Sequence, residues 1–313
     1  MRPLTTAVMM WMAVCVTPLA QSEGPPPHAG EIALSFDDVP LGDGAFLTGM
    51  ERTEMLVRKL DSLGIDEVVF FCTTEKFYGP DREKRLRIYG EAGHRIGNHS
   101  YSHPHPHQAG VQKYIADLDR AHDYLVEVLG FVRWFRYPFL DEGISRPLRD
   151  SVRTALAERG YRNAYVTIDN YDWYMDRLTR YAADSGWSID VDRLRDTYVE
   201  VLWDGILFYD RIGQDVLGRS PRHVLLLHEN DLAALFLDTL VAHIRGQGWT
   251  VISPTAAYAD PIADSIPDVL MNGQGRVAAI AKARGYAGRD LVHRFEDTEY
   301  LDSLFAARGI IRR

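Results

Sequence analysis

The chain has 313 residues, 46% hydrophobic and 25% charged, an ordinary globular balance that suffices for one large core with extensions. Its formal net charge of −9 disfavours nucleic acid as a partner, because nucleic acid selects a basic face. No segment is repetitive, and none has the composition of a disordered tract.

Residues 1–20 read as a leader outside the fold. Arg2 precedes the apolar run Ala7–Val16, and Thr17-Pro18-Leu19-Ala20 ends in a small residue. The run is short for a membrane span, so a secretory signal peptide is expected, with an uncleaved anchor as the alternative. An exported protein, periplasmic or secreted and without stable membrane insertion, follows from that reading. Removing the leader takes away Arg2 alone among charged residues and leaves 34 basic against 44 acidic. Cys72 is then the only cysteine, so no internal disulfide is available and stability rests on the core. It follows the apolar run Val68–Phe71 and reads as a small buried hydrophobe.

Residues 21–30 (QSEGPPPHAG) form a Pro/Gly-rich linker. Strand and helix signals then alternate. Glu31–Phe36 is a strand ending in Asp37-Asp38; Thr48–Leu63 has helical spacing and stops at Gly64. Asp66–Phe71 is a second strand, and Asp81–Ala92 a helix ended by Gly93. His94–Asn98 is a strand, Val111–Leu129 a helix ended by Gly130, and Val132–Arg136 a strand. Pro147–Arg159 is a helix with Pro at its start. Asn163–Ile168 is a strand. A polar, helical stretch over residues 174–218 follows, then the buried strand His223–Leu227, the helix Leu232–Gly246 and the strand Trp249–Ile252. Residues 263–313 form a C-terminal extension with two helices. Seven strands alternating with helices over 31–262 predict a parallel sheet closed into a distorted (β/α)7 barrel.

Polar clusters fall where the strands end: Asp37-Asp38, His99, Arg136, Asp169 and His228. Parallel α/β folds build active sites at the C-terminal ends of strands. Any one such residue is ordinary turn chemistry, but five in succession predict a site. His99 and His103 stand four residues apart, so both imidazoles can face one ion, and Asp38 adds a carboxylate. Two His and one carboxylate leave a position open for water, as in catalytic zinc sites. His105 and His107, separated by prolines, are expected to point away from that pair, although ligation by His105 stays open. Adjacent Asp37 and Asp38 point to different sides of a strand, so one binds the ion while the other acts as base. His228 faces them as an acid or as a buried structural histidine.

At these residues the chain resembles the polysaccharide deacetylase family, also called the NodB-homology or carbohydrate esterase family 4 domain, over about residues 31–260. Ser35-Phe36-Asp37-Asp38 resembles its T-F-D-D opening, and His99-Ser100-Tyr101-Ser102-His103 its H-[ST]-x-x-H motif. Arg136-Tyr137-Pro138-Phe139 is similar to R-x-P-aromatic, Asp169–Trp173 to D-x-x-D-W, and Leu225–His228 to L-x-x-H. The resemblance implies Asp37 as base, Asp38, His99 and His103 as metal ligands and Arg136 as orienter of Asp37. It further implies the Phe139 N–H as oxyanion donor, Asp169 as the group tuning the acid His228, and Trp173 in the acetyl pocket. Tyr137 and Asp172 join that substrate pocket.

Two departures stand out. Val39 replaces the usual glycine after Asp-Asp, and the 174–218 segment is an insertion that either caps the groove or is plain helical decoration. The implied protein is a hydrolase of carbon–nitrogen bonds other than peptide bonds, using Zn2+, with Co2+ or Ni2+ also accepted by these ligands. Its substrate is an acetylated glycan, first of all one containing N-acetylglucosamine. O-acetyl xylan, a cyclic amide or ureide, and a catalytically dead glycan-binding domain remain alternatives.

Overall fold

The computed structural model describes residues 29–76 and 80–313. The expected leader and nearly all of the expected linker lie outside the described residues. Among the described residues nine strands run in chain order: β1 (Glu31–Val39), β2 (Val69–Cys72), β3 (Arg95–Asn98), β4 (Phe131–Phe135), β5 (Arg162–Asn163), β6 (Ser188–Ile189), β7 (Arg222–His228), β8 (Thr250–Val251) and β9 (Ile311–Arg312). In β1, Ile32, Ala33, Leu34 and Phe36 are buried on both faces, as a parallel sheet covered by helices requires. The main sheet is parallel, in the order β5-β4-β3-β2-β1-β7, with β8 beside the start of β1.

The stretch that follows β5 closes the curl. Asn163 pairs with Phe135 of β4, whereas Ile168 bridges Leu225 of β7. The Ile168 N–H donates to the Val224 carbonyl, and the Ile168 carbonyl accepts from the Leu226 N–H. One short length of chain thus touches both edges of the sheet and makes it a distorted barrel. The continuous strand expected over 163–168 is therefore broken, because its two ends answer to different neighbours.

Eleven α-helices accompany these strands among the described residues: α1 (Gly49–Ser62), α2 (Pro80–Glu91), α3 (Pro106–Ala109), α4 (Val111–Leu125), α5 (Arg146–Glu158), α6 (Asp172–Asp184), α7 (Val191–Leu217), α8 (Asp231–Gly246), α9 (Pro254–Ala257), α10 (Arg276–Ala283) and α11 (Thr298–Ala307). Thr48 and Glu51 form a reciprocal capping box that fixes the start of α1. In α7, Leu194, Tyr198, Leu202, Ile206 and Tyr209 recur every three or four residues and are fully buried. Gly218, left-handed at φ 72°, ends that helix by donating to Gln214. This part of the 174–218 segment therefore belongs to the main core.

The C-terminal stretch joins the same core through Val277, Ala281, Leu291, Phe295, Leu301 and Phe305. It meets the barrel closely: the Arg276 N–H donates to the Val166 carbonyl at 2.7 Å. A Cβ on Gly275 would lie 2.8 Å from that carbonyl oxygen, so only glycine fits. No helix among the described residues is long and apolar enough to cross a membrane.

Candidate active site

The two adjacent aspartates diverge because the backbone turns between them. Asp37 continues β1, in register with His228 of β7, whereas Asp38 is left-handed at φ 62°. Asp37 is buried against Arg136, whose Nη1 lies 3.0 and 3.1 Å from its two oxygens. The Arg136 Nη2 donates to Ser35 Oγ at 3.1 Å and to the Tyr258 hydroxyl at 3.3 Å, and its Nε donates to the Ala164 carbonyl. Its guanidinium also lies over the Phe71 ring. Burial pushes the Asp37 carboxyl up to about 6, with the Arg136 charge opposing the rise.

Asp38 faces the two histidines. Its Oδ1 lies 3.7 Å from His99 Nε2 and 3.4 Å from His103 Nε2, and the two Nε2 atoms are 3.2 Å apart. Donors about 2.1 Å from one tetrahedral ion stand about 3.4 Å from each other, so the set fits a divalent cation. The His99 Nδ1–H donates to the Arg136 carbonyl at 2.8 Å, which leaves the Nε2 lone pair facing Asp38 and His103. Burial pushes both imidazoles down to about 4, so they are neutral and able to coordinate at ordinary pH.

The loop joining the two histidines is tied down by groups that no motif announced. Asn98 Oδ1 accepts from the Ser100 N–H at 2.7 Å, and Ser100 Oγ accepts from the His103 N–H at 2.9 Å. Asp117, on α4, accepts from the N–H groups of Tyr101 and Ser102. These bonds hold Ser100 and His103 at φ 70° and 56°. The non-glycine residues with positive φ among those described are Asp38, Ser100, His103, Phe139 and Leu140, and all five gather here. Each costs roughly 1–2 kcal/mol, and strain concentrated in one place marks a functional site.

Opposite the triad stands His228. Its partner is Asp172, not Asp169: Nδ1 lies 2.7 Å from Asp172 Oδ1. Asp172 Oδ2 accepts from the His228 N–H at 2.9 Å and from Asn230 Nδ2 at 3.1 Å. Against the opposing effect of burial, the Asp172 carboxylate, aided by Asp38 and Asp37, raises the imidazole to about 9. Asp172 opens α6, and the first turn of that helix carries it beneath the imidazole instead of into the substrate pocket. Asp169 instead lines the cleft, where burial and the Glu296 carboxyl hold it well above the usual carboxylate range. Tyr137 is also displaced from its expected place, being buried in a small cluster with Tyr114, Phe135 and Tyr161. Beneath His228, the buried Glu229 carboxylate accepts from Arg85, the Tyr89 hydroxyl and the Leu41 N–H, which braces the turn into α8.

Asp37, Asp38, His99, His103, Asp169 and His228 all line one cleft of about 400 Å³. Its walls are Phe139, Leu140, Tyr171, Trp173 and Gly273. The sequence-expected residues other than Arg136, Tyr137 and Asp172 thus meet in it, and Arg136 acts from behind through Asp37. His105 and His107 turn away from the triad, toward Asp141. The intervening Pro106 opens the one-turn α3 and does not extend the chain. Sequence reasoning missed Tyr258, which arrives from beyond β8 with no local signal. It also missed Asn98 and Asp117, of which only Asn98 adjoins a motif.

Residues 24–164 match the family described as polysaccharide deacetylase, the family its motifs resemble. A peptidoglycan-N-acetylglucosamine deacetylase from Bacillus cereus is 27% identical over 150 residues, 47% of this chain and 48% of the relative. An uncharacterized Bacillus subtilis protein is 30% identical over 82 residues, 26% of this chain and 24% of its own. The chain therefore spans about half the length of the first relative and about a quarter of the second. Among solved structures, a family 4 carbohydrate esterase from Streptomyces lividans is similar at 22% identity and a TM-score of 0.48, covering 73% of this chain and 95% of that one. A peptidoglycan deacetylase from Bacillus subtilis is similar at 19% identity and a TM-score of 0.49, covering 74% and 91%.

Proposed function

We propose that this chain, as a member of the polysaccharide deacetylase family, hydrolyses acetamide groups on an acetylated glycan, first of all one containing N-acetylglucosamine. The observation that carries the reading is the placement of an Arg-held carboxylate and an Asp-held imidazole around one His-His-Asp triad in a single cleft. The similarity to a peptidoglycan-N-acetylglucosamine deacetylase from Bacillus cereus favours an N-acetyl amide over an ester.

Asp38, His99 and His103 would hold the metal, Zn2+ by ligand type, with Co2+ or Ni2+ also accommodated. When bound, such an ion polarises a carbonyl and makes a water more acidic. Asp37, with a carboxyl pushed up to about 6, is ionised at neutral pH yet basic enough to take the proton of the attacking water. The water oxygen adds to the acetyl carbon, and the Phe139 N–H is the donor assigned to the developing oxyanion; one such donor contributes about 3 kcal/mol. His228 stays protonated through neutral pH and gives its proton to the sugar nitrogen as the C–N bond breaks. Acetate and the free amine leave. Trp173 and Tyr171, whose rings lie 5.2 Å apart, offer an apolar wall to the acetyl methyl and the sugar face.

In this reading residues 31–262 form the catalytic unit, and the 263–313 extension closes one wall through Gly273. Residues 174–218 supply the core helix α7, and Asp176, Arg177 and Arg180 near their start line a side pocket beside Trp173 and His228. The leader-like composition of residues 1–20 supports a location outside the cytoplasm. Acetate release from chitin oligomers, peptidoglycan, an exopolysaccharide and acetylated xylan, with and without chelator, tests the proposal. Release from the amide substrates that chelation abolishes is expected. Release from xylan alone would move the reading to an esterase, and metal binding without any release would make the domain a glycan binder.

A further inference from the structure

A second convergence of metal-ligating side chains lies outside the cleft. His105 Nδ1 and His107 Nδ1 both address Asp141 Oδ2, at 2.9 and 3.4 Å. The other oxygen of that carboxylate is occupied, since it accepts from the Gly143 N–H at 2.8 Å. Asp141 is almost fully buried, while the two imidazoles are partly open to solvent. The three donor atoms all lie within 4.8 Å of one another.

We propose that His105, His107 and Asp141 form a second divalent transition-metal site, selective for Zn2+-like ions. Two neutral imidazoles and one carboxylate are a borderline donor set that excludes Mg2+ and Ca2+, which take oxygen. The separations of 2.9 and 3.4 Å approach the roughly 3.4 Å between ligands of one tetrahedral ion. Both imidazole nitrogens converge on one carboxylate oxygen, and a cation among the three would be ligated by all of them. The carboxylate is the buried anchor, and the open imidazole side leaves room for water and for exchange. The local chain suits this arrangement, because Pro106 starts α3 with His105 as its extended N-cap, and the two imidazole rings stand 5.1 Å apart.

The second site also reaches the first. The His105 ring lies flat on Phe139, with centroids 3.8 Å apart and planes 8° apart. Phe139 in turn meets the His103 ring edge-on at 4.3 Å. An ion that fixes His105 therefore fixes the aromatic wall of the cleft.

Metal content decides the matter without reference to deacetylation, so it fails or succeeds independently of the proposed activity. Untagged full-length protein is stripped with chelator, dialysed against Zn2+ and washed, and its zinc is quantified. Two equivalents are expected for the wild type and one for His107→Ala. His107 is exposed, so its replacement leaves the fold intact, which circular dichroism checks. One equivalent is expected for His103→Ala, and none for the double variant. A single equivalent in the wild type, or an unchanged count in His107→Ala, would overturn the proposal and leave the cluster as hydrogen-bonded histidines.

Discussion

Replacing Asp172 by Asn removes a charge while preserving shape, and it separates the acid from its support. In the wild type the carboxylate contacts His228 Nδ1 at 2.7 Å and the imidazole is raised to about 9. An imidazole in water titrates near 6.5, so the net shift corresponds to about 3 kcal/mol in favour of the charged form. In the variant Asp38 and Asp37 still favour the imidazolium, while burial still opposes it. The sign follows directly: His228 must be protonated to act, and losing its partner lowers the pH at which it stops acting. At pH 8 the protonated fraction drops from about 0.9 toward 0.03, a loss of roughly 10–30-fold in kcat/KM. Toward lower pH both proteins charge their imidazole, so the difference narrows. The assay is acetate release from N-acetylglucosamine oligomers between pH 5 and 10, with zinc content as control because Asp172 is not a ligand. Asp169→Asn should leave the basic limb in place. A basic limb unmoved in Asp172→Asn, or a loss equal at every pH, would refute the assignment of Asp172 to the acid.

Asp37→Asn should retain its zinc and lose about 10²–10⁴-fold in kcat, measured as acetate release beside metal content. In the wild type, kcat/KM should rise as pH passes through about 6 and Asp37 ionises, or somewhat lower once a cation beside it favours the charged carboxylate. Arg136→Gln should move that acidic limb upward, because the guanidinium opposes the effect of burial on Asp37; a downward shift would contradict the pairing. Glu229→Ala should destabilise the fold by about 3–5 kcal/mol in urea denaturation, since it strands the buried Arg85 guanidinium.

Much of this protein was legible in its residues alone. Repeating signals carried the elements: apolar runs marked β1, β2 and β7, and helical spacing with a stop at Gly64 marked α1. The ends of successive strands carried the chemistry, so Asp37, Asp38, His99, Arg136 and His228 could be placed together before any coordinates. The strand expected over 163–168 is broken because one length of chain pairs with two different strands, which no local pattern encodes.

The choice between Asp169 and Asp172 was likewise tertiary. Both stand in one motif, and which of them meets His228 depends on how α6 starts relative to a strand 56 residues away. Tyr258 reaches Arg136, and Asp117 and Asp141 reach the two histidine clusters, only through the folded chain. The sequence by itself determined the residue types and the strand ends that present them, because periodicity and turn chemistry are local. The pairing of acid with carboxylate, and of His105 and His107 with Asp141, was decided by the tertiary structure. Non-repetitive backbone, including five left-handed residues held by distant partners, sets the direction of each side chain.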